Sequence, residues 1–393
     1  MKYKSLKSIY YSNHEKYEKI YTQRINSDST YNLGTDVKGM PAFVIVTPNI
    51  LDLITEILIT NEKLIKVTLA LPKVALEHYT LECLIEEIRL TNEIEGIHST
   101  RKEIEDVIND TPSKNRRLEG LVKKYALLTQ EKIQLRTCQD VRDIYNSLVL
   151  EEVIADNPQN KPDGKIFRIE NVYIQSEIIK PIHTGVQGEK NIIEQMERCL
   201  DMLNNRDYNL FIRIASFHYL FSYIHPFYDG NGRLNRFISS FLLGTKLNNL
   251  VSYRLAYIIK KNINTYYKMF KETNLEINRG DLTLFVEKFL KFILEAICDL
   301  YDTLKDKQRE LIYYGEKLTE LNMNKNMTRI AYILIQNELF ATDRLNIKNI
   351  HDITNLSTST IRNLLKQLLE KGLIEKGKNG KELIYSIVLE NLW

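Results

Sequence analysis

HPFYDGNGRLNR occupies residues 225–236 and brings together one imidazole, one carboxylate, a Gly-Asn-Gly turn and two guanidinium groups. The apolar run that follows the turn predicts a helix that begins at the glycines. The first turn of a helix offers unpaired backbone N–H groups and the positive end of the helix dipole, and both attract anions. Gly230 and Gly232 let a phosphate approach the backbone closely, and Asn231 tolerates a left-handed conformation. The stretch therefore predicts an anion site at the start of a helix.

The charged side chains of this stretch indicate which anion would bind. Arg233 and Arg236 are spaced i, i+3, so they project from one face of the helix, and two guanidinium groups suit a polyphosphate. Asp229 is a typical Mg²⁺ ligand beside phosphates, and His225 is the base that titrates near neutrality. The chain has no GxxxxGK[ST] loop. The pattern predicts a nucleoside triphosphate with Mg²⁺ and a nucleotidyl or phosphoryl transfer, although each residue alone could be a surface charge or a turn former.

The same twelve residues fit the signature HxFx[DE]GNGRxxR, and the chain resembles the Fic family through it. Two flanking segments extend the resemblance: AxxHxxFxxIHPF, at residues 215–227, and YYKMFKETN, at residues 266–274. The resemblance covers roughly residues 42–291. It implies a mostly α fold with a helical core and a small β-hairpin flap. It also implies transfer of AMP from ATP to a Ser, Thr or Tyr hydroxyl of a target protein or of the chain itself.

The resemblance also implies roles for single residues. His225 would be the general base, Asp229 would hold Mg²⁺, and Arg236 would bind the γ-phosphate of ATP. The packing of Phe227 would fix the loop. The expected nucleotide-binding residues lie in the motif, the flap and the downstream segment: Gly230, Asn231, Gly232, Arg233, Leu234, Asn235, Arg236, Val172, Tyr173, Ile174, Gln175, Tyr266, Tyr267 and Asn274. The paired tyrosines could equally be half-buried packing residues on a helix.

TNEIEG, at residues 91–96, forms the last turn of an amphipathic helix that ends at Gly96. On the residues alone, Glu95 is a solvated acid at the unfavourable end of a helix dipole. The string also resembles the family's inhibitory motif, [ST]xxxE[GN]. That resemblance implies that Glu95 reaches Arg236, takes the place of the γ-phosphate and slows transfer, while Thr91 supports the helix locally. The alternative within the same family is removal of AMP, with Glu95 aligning a water.

ENVYIQSEIIKPIHTGVQGE, at residues 170–189, takes the place of the family's flap, which docks the target as an added strand. The double proline that many relatives have after the flap is missing, and Ile182, His183 and Thr184 stand there instead. His183 is interpreted as a loop histidine.

The C-terminal segment predicts three helices followed by a two-stranded wing around residues 377–380, with Ser357 as an N-cap. This order is typical of a winged helix-turn-helix domain. Between residues 357 and 381 there are six basic residues and only two acidic ones, and this positive excess suits a DNA backbone. The alternatives are a wing used for dimerisation or for target docking, and a DNA-binding regulator in which the Fic core senses a nucleotide.

Bulk properties place the chain among ordinary globular proteins. Its 393 residues predict several domains, here 1–115 (N-terminal helical region with the inhibitory helix), 116–310 (catalytic core) and 311–393 (winged helix). Its four cysteines form no CxxC pair, which fits a reducing cytoplasm, and no apolar run is long enough to span a membrane. We expect a cytoplasmic protein that uses ATP and Mg²⁺, has a protein substrate and does not interact with membranes. A homodimer is possible.

Overall fold

The computed structural model describes residues 3–110, 118–128, 133–175, 181–380 and 382–392, and it is mostly helical, as predicted. Within these ranges, no helix has both the length and the apolar composition needed to cross a membrane. The helices are α1 (Leu6–Ser12), α2 (His14–Ile25), α3 (Pro48–Ala70), α4 (Lys73–Ile94), α5 (Arg101–Ile108), α6 (Glu119–Ala126), α7 (Cys138–Tyr145), α8 (Glu151–Asp156), α9 (Glu189–Asn204), α10 (Leu210–Ile224), α11 (Asn231–Gly244), α12 (Leu255–Lys261), α13 (Ile263–Thr273), α14 (Thr283–Glu320), α15 (Lys325–Phe340), α16 (Ile347–Thr354) and α17 (Thr358–Glu370). The strands are β1 (Thr30–Val37), β2 (Met40–Ile45), β3 (Tyr173–Gln175), β4 (Pro181–Thr184), β5 (Leu345–Asn346), β6 (Ile374–Asn379) and β7 (Glu382–Ile387).

The chain divides into two compact units. The first holds residues 1–61 and 85–297, and the second holds residues 62–84 and 298–393. Each change of unit falls within a helix, at α3, α4 and α14. The predicted division at residues 115/116 and 310/311 stays a prediction, because a compact unit need not be a segment that folds by itself.

The first unit is built around α10 and α11. All but four of the fifteen residues of α10 are buried, as its apolar composition on every side predicts. The turn between the two helices carries the 225–236 motif. The hairpin of β1 and β2 was not predicted from the sequence. Its two-residue turn, Lys38-Gly39, has positive φ at both positions. That backbone is typical of a type I′ turn.

The second unit contains α15, α16 and α17 and a three-stranded antiparallel sheet in the order β5-β7-β6. Three helices followed by a hairpin are the elements expected from the sequence. Ser357 caps α17 by accepting a hydrogen bond from the Thr360 N–H at 3.1 Å, as predicted. The exposed side chains of α17 are mainly neutral and polar, with two basic ones and one acidic one: Thr358, Ser359, Thr360, Asn363, Arg362, Lys366 and Glu370.

Candidate active site

The loop between α10 and α11 holds its shape through two left-handed residues and one buried amide. His225 ends α10 with a φ of +53°, and Gly230 caps α11 with a φ of +78°. Asn231 is helical rather than left-handed. Its side chain accepts from the Phe227 N–H at 3.0 Å and donates to the Phe227 carbonyl at 2.8 Å. The amide therefore bridges both backbone groups of Phe227 and closes the loop.

Aromatic packing fixes the middle of the loop, as expected for Phe227. Its ring is fully buried and stacks on Tyr145, with centroids 3.7 Å apart, while Phe167 packs edge-on at 5.4 Å. A Cβ at Gly230 would lie 2.9 Å from a methyl group of Val149, so this position also requires a glycine for lack of space. The packing around Phe227 and Gly230 therefore holds the loop in one conformation.

Glu95 lies directly over the start of α11. Helix α4 ends in a Schellman arrangement: the Ile97 N–H donates to the Asn92 carbonyl, and Gly96 has a φ of +75°. This ending directs the Glu95 carboxylate to Gly232. The approach is so close that a side chain at position 232 would place its Cβ in collision with Glu95 Oε1. A carboxylate therefore occupies the predicted anion site in this structure.

Arg236 binds that carboxylate from a buried position. Its Nη2 lies 2.7 Å from Glu95 Oε1, and the two side chains are 2% and 31% exposed. Its Nε donates to the Thr91 hydroxyl at 2.7 Å, and its Nη2 donates to the Thr91 carbonyl at 2.9 Å. Burial lowers the pKa of Arg236, but the charge and hydrogen bond of Glu95 together with the nearby Tyr266 and Tyr125 outweigh burial, so the pKa is raised. Thr91 thus orients the guanidinium, a more specific role than the expected local support of its helix.

Arg233 has a partner that was not predicted from the sequence. Its Nη1 lies 2.8 Å from Glu152 Oε2, and the two side chains are 1% and 8% exposed. Glu152 is at the start of α8, in the apolar run LVLEEVI. An acidic residue within an apolar run could have indicated a buried ion pair, because a buried carboxylate needs a cation. The guanidinium predicted to bind phosphates is therefore ion-paired at the base of the motif.

Asp229 and His225 flank the same turn, and both are partly buried. Asp229 Oδ1 accepts from the Gly230 N–H at 2.5 Å, which fixes its carboxylate at the start of α11. Burial and the charge of Asp229 together raise the pKa of the Tyr145 hydroxyl. The described residues contain no cluster of three or more metal-ligating side chains. A single carboxylate beside a phosphate site still fits Mg²⁺, which takes few protein ligands and retains several waters.

The predicted nucleoside-binding residues fall in two environments. Tyr266 is buried, and its hydroxyl lies 2.7 Å from Nε2 of His218, whose pKa burial lowers to about 3, so that this imidazole is neutral. Asn274 accepts from the Tyr219 hydroxyl at 2.5 Å. Tyr267 is 47% exposed, and its hydroxyl is 3.4 Å from the carbonyl of Ile94, next to Glu95. Tyr267 is therefore the more accessible of the two tyrosines.

The remaining predicted residues lie in α11 and the flap. Leu234 and Asn235 are buried, and the Asn235 side chain donates to the His218 carbonyl at 2.7 Å, so both belong to the core of the first unit. Strand β3 pairs antiparallel with β4, which confirms a hairpin in the flap segment. Val172 accepts from the Gly185 N–H at 3.3 Å at the base of the hairpin. The side chains of Tyr173, Ile174 and Gln175 lie outside the described residues, as does the flap between residues 176 and 180.

Comparison with known proteins identifies the family that the central part of the chain resembles. Residues 137–243 match the Fic/DOC family. Two curated relatives are named Protein adenylyltransferase Fic. The Drosophila yakuba protein is 30% identical over 139 residues, and the Drosophila willistoni protein is 29% identical over 143 residues. Each alignment covers 35% of this chain and 25% of the relative, so the chain spans about a quarter of their length.

A solved structure is similar over most of the chain. The crystal structure of a Fic family protein from Desulfovibrio desulfuricans superposes with a TM-score of 0.55, covering 87% of this chain and 97% of that one. The sequence identity is 20%, so this likeness shows the fold.

Proposed function

Since this chain belongs to the Fic family through residues 137–243, we propose that it is a protein adenylyltransferase. It transfers AMP from ATP to a Ser, Thr or Tyr hydroxyl of a target protein, or of itself, and releases pyrophosphate. The observation that carries the proposal is the position of the Glu95 carboxylate, which sits over Gly232 and on Arg236. An anion is thus already held where the motif would hold a phosphate.

The loop geometry supports a direct displacement at the α-phosphorus. The target hydroxyl oxygen forms a bond to that phosphorus, its proton goes to the imidazole of His225, and pyrophosphate leaves with the electrons of the broken P–O bond. Backbone N–H groups at the start of α11 stabilise the charge that develops on the phosphoryl oxygens. When bound, Mg²⁺ neutralises phosphate charge, and Asp229 is the residue that would hold it.

We further propose that Glu95 inhibits this transfer. Its carboxylate and the γ-phosphate need the same guanidinium, because Glu95 Oε1 already lies 2.7 Å from Arg236 Nη2 while Thr91 accepts from Nε and Nη2. ATP that binds while Glu95 is in place has its γ-phosphate, and therefore its α-phosphate, displaced from the reacting position. Withdrawal of Glu95 restores the site.

The test is mass spectrometry of a lysate treated with ATP, Mg²⁺ and the Glu95→Gly variant. The proposal expects peptides that gain one AMP on a hydroxyl side chain. The matched control combines Glu95→Gly with His225→Ala, which removes the base and should remove those peptides. If no peptide gains AMP, or if the control modifies the same peptides, the proposal is wrong. Loss of AMP from protein modified beforehand would instead support the removal reaction, in which Glu95 aligns a water.

A second function is favoured by the second unit, in which we propose a winged helix that binds duplex DNA. Helices α16 and α17 are followed by the β6–β7 hairpin, and α17 exposes neutral hydrogen-bonding side chains with Arg362 and Lys366. Such a face can enter a major groove, while exposed Lys376 and Lys378 on β6 would reach phosphates. Specific retention of DNA without any AMP transfer would support the nucleotide-sensing regulator instead.

A further inference from the structure

Arg168 is fully buried, and its guanidinium binds the backbone at three separate places. Its Nε donates to the His225 carbonyl at 2.9 Å, its Nη1 to the Glu170 carbonyl at 2.6 Å, and its Nη2 to the Val186 carbonyl at 2.8 Å. Within the described residues no carboxylate lies within ion-pair distance of it. Its charge is therefore compensated mainly by carbonyl dipoles, and its planar fork sets their relative positions.

The three carbonyls belong to the parts of the proposed active site that must be aligned. His225 is the expected base, and it has a left-handed backbone that a non-glycine residue adopts only when its surroundings hold it there. Glu170 precedes strand β3 of the flap, and Val186 follows strand β4. One side chain thus contacts the catalytic loop, the flap entrance and the flap exit.

Further contacts join the same segments. The Arg168 N–H donates to the Pro226 carbonyl at 3.2 Å, and the Val186 N–H donates to the Ile224 carbonyl at 3.1 Å. A Cβ at Gly185 would lie 2.5 Å from Arg168 Nη2 and 3.0 Å from the Cβ of His225. The flap exit is therefore packed against the catalytic loop with no room for a side chain.

We propose that Arg168 is a positioning residue that sets the backbone of His225 and both ends of the flap together, so that target docking and base orientation are coupled through one guanidinium. This inference rests on the proposed function, because the flap and the base acquire their roles from it. Arg168 is fully buried, and its guanidinium binds backbone carbonyls of the loop and of the flap. Its loss therefore acts through these two segments, and it lowers the rate of the chemical step more than it weakens nucleotide binding.

The first arm of the test measures self-labelling with AMP from labelled ATP in the Glu95→Gly background. Arg168→Lys retains the charge but cannot span three carbonyls. We expect its rate at saturating ATP to fall roughly a hundredfold, the effect of about 1 Å of misplacement, with a much smaller change in the half-saturating ATP concentration. The matched control is Arg213→Lys, because the Arg213 guanidinium binds the Leu203 carbonyl at 2.5 Å elsewhere in the first unit. The control should keep both values.

The second arm measures amide hydrogen exchange and does not depend on activity. Arg168→Lys should raise exchange at Gly185 and Val186, whose N–H groups donate to Val172 and Ile224, and leave the centre of α10 protected. Gly185→Ala is a second variant that separates the flap from His225 without changing the arginine, and it should raise exchange at Val186 in the same way.

The two arms separate the possible failures. Unchanged exchange at Val186 in both variants overturns the coupling, and so does faster exchange with an unchanged labelling rate. If the Glu95→Gly parent does not label itself at all, the self-modification part of the proposed function fails, while the exchange arm still decides whether Arg168 holds the flap. Should Arg168→Lys not fold, Gly185→Ala alone carries both measurements.

Discussion

Replacing Glu95 tests the inhibitory contact through a change whose size follows from the structure. The carboxylate makes one charge-assisted contact of 2.7 Å with an arginine side chain that is 98% buried (2% exposed). Such a contact is worth roughly 1.5–3 kcal/mol. At about 1.4 kcal/mol per factor of ten, its removal should raise the rate of AMP transfer by roughly ten- to a hundredfold. The Glu95 side chain is 31% exposed, so solvent screening favours the lower half of this range.

Three substitutions separate charge from bulk. Glu95→Gly removes both and should be fastest, whereas Glu95→Gln keeps the volume over Gly232 without the charge and should be intermediate. Glu95→Asp should also be intermediate, because the shorter side chain reaches Arg236 poorly. Adding Arg236→Ala to Glu95→Gly should abolish much of the gain, since the γ-phosphate then lacks its guanidinium.

The assay is the initial rate of label incorporation from α-labelled ATP with Mg²⁺ at equal protein concentrations. Glu93→Gln is the matched control. Glu93 lies on the same helix and pairs with Arg89 and Lys260, each at 3.0 Å, away from Arg236. It should leave the rate unchanged. The reasoning is refuted if Glu95→Gly is no faster than wild type, because Glu95 would then be an acid without inhibitory effect.

Other parts of the structure yield three further predictions. Glu152→Gln leaves the buried charge of Arg233 unpaired and should lower the free energy of unfolding, measured with urea, by roughly 3–5 kcal/mol. Adding Arg233→Met to this variant should restore part of the loss, and a free energy of unfolding that hardly changes in Glu152→Gln would contradict the buried pair. Burial raises the pKa of Glu87 to about 8 from 4.5, so the folded chain keeps a proton that the unfolded chain loses. The Tm should therefore fall as the pH rises from about 6 to 8. Glu87→Gln should reduce this fall, and an equal dependence of Tm on pH in the variant and the wild type would show that Glu87 does not cause it. Replacing Lys376 and Lys378 with Gln should weaken DNA binding in fluorescence titrations and lower the salt slope by roughly 2, whereas no retention of duplex DNA by wild type at low salt would show that this unit binds something else.

Local sequence patterns predicted the elements that local forces determine. The apolar composition of α10 on every side is typical of a buried helix, the glycines after Asp229 predicted a helix start, and Ser357 predicted a cap. Each prediction depends on neighbours within a few positions, where spacing and capping chemistry are visible in the sequence.

The partners of the site residues could not be predicted in this way. Arg233 pairs with Glu152 across 81 positions, and Arg236 binds Thr91 across 145. No periodicity links positions so far apart, and only the fold brings them together. The resemblance indicated the contact of Glu95 with Arg236, but it offered no sign that Thr91 would orient the guanidinium or that Arg168 would bind three carbonyls.

The most direct measurement of the central claim compares two labels in one reaction. The Glu95→Gly variant is incubated with Mg²⁺ and ATP labelled on either the α- or the γ-phosphate, with and without His225→Ala, and ATP affinity is measured in parallel. The account predicts that protein retains only the α-label, and that His225→Ala removes it while ATP affinity stays nearly intact. Retention of the γ-label, or an α-label that persists in the His225→Ala variant, would contradict AMP transfer by this site.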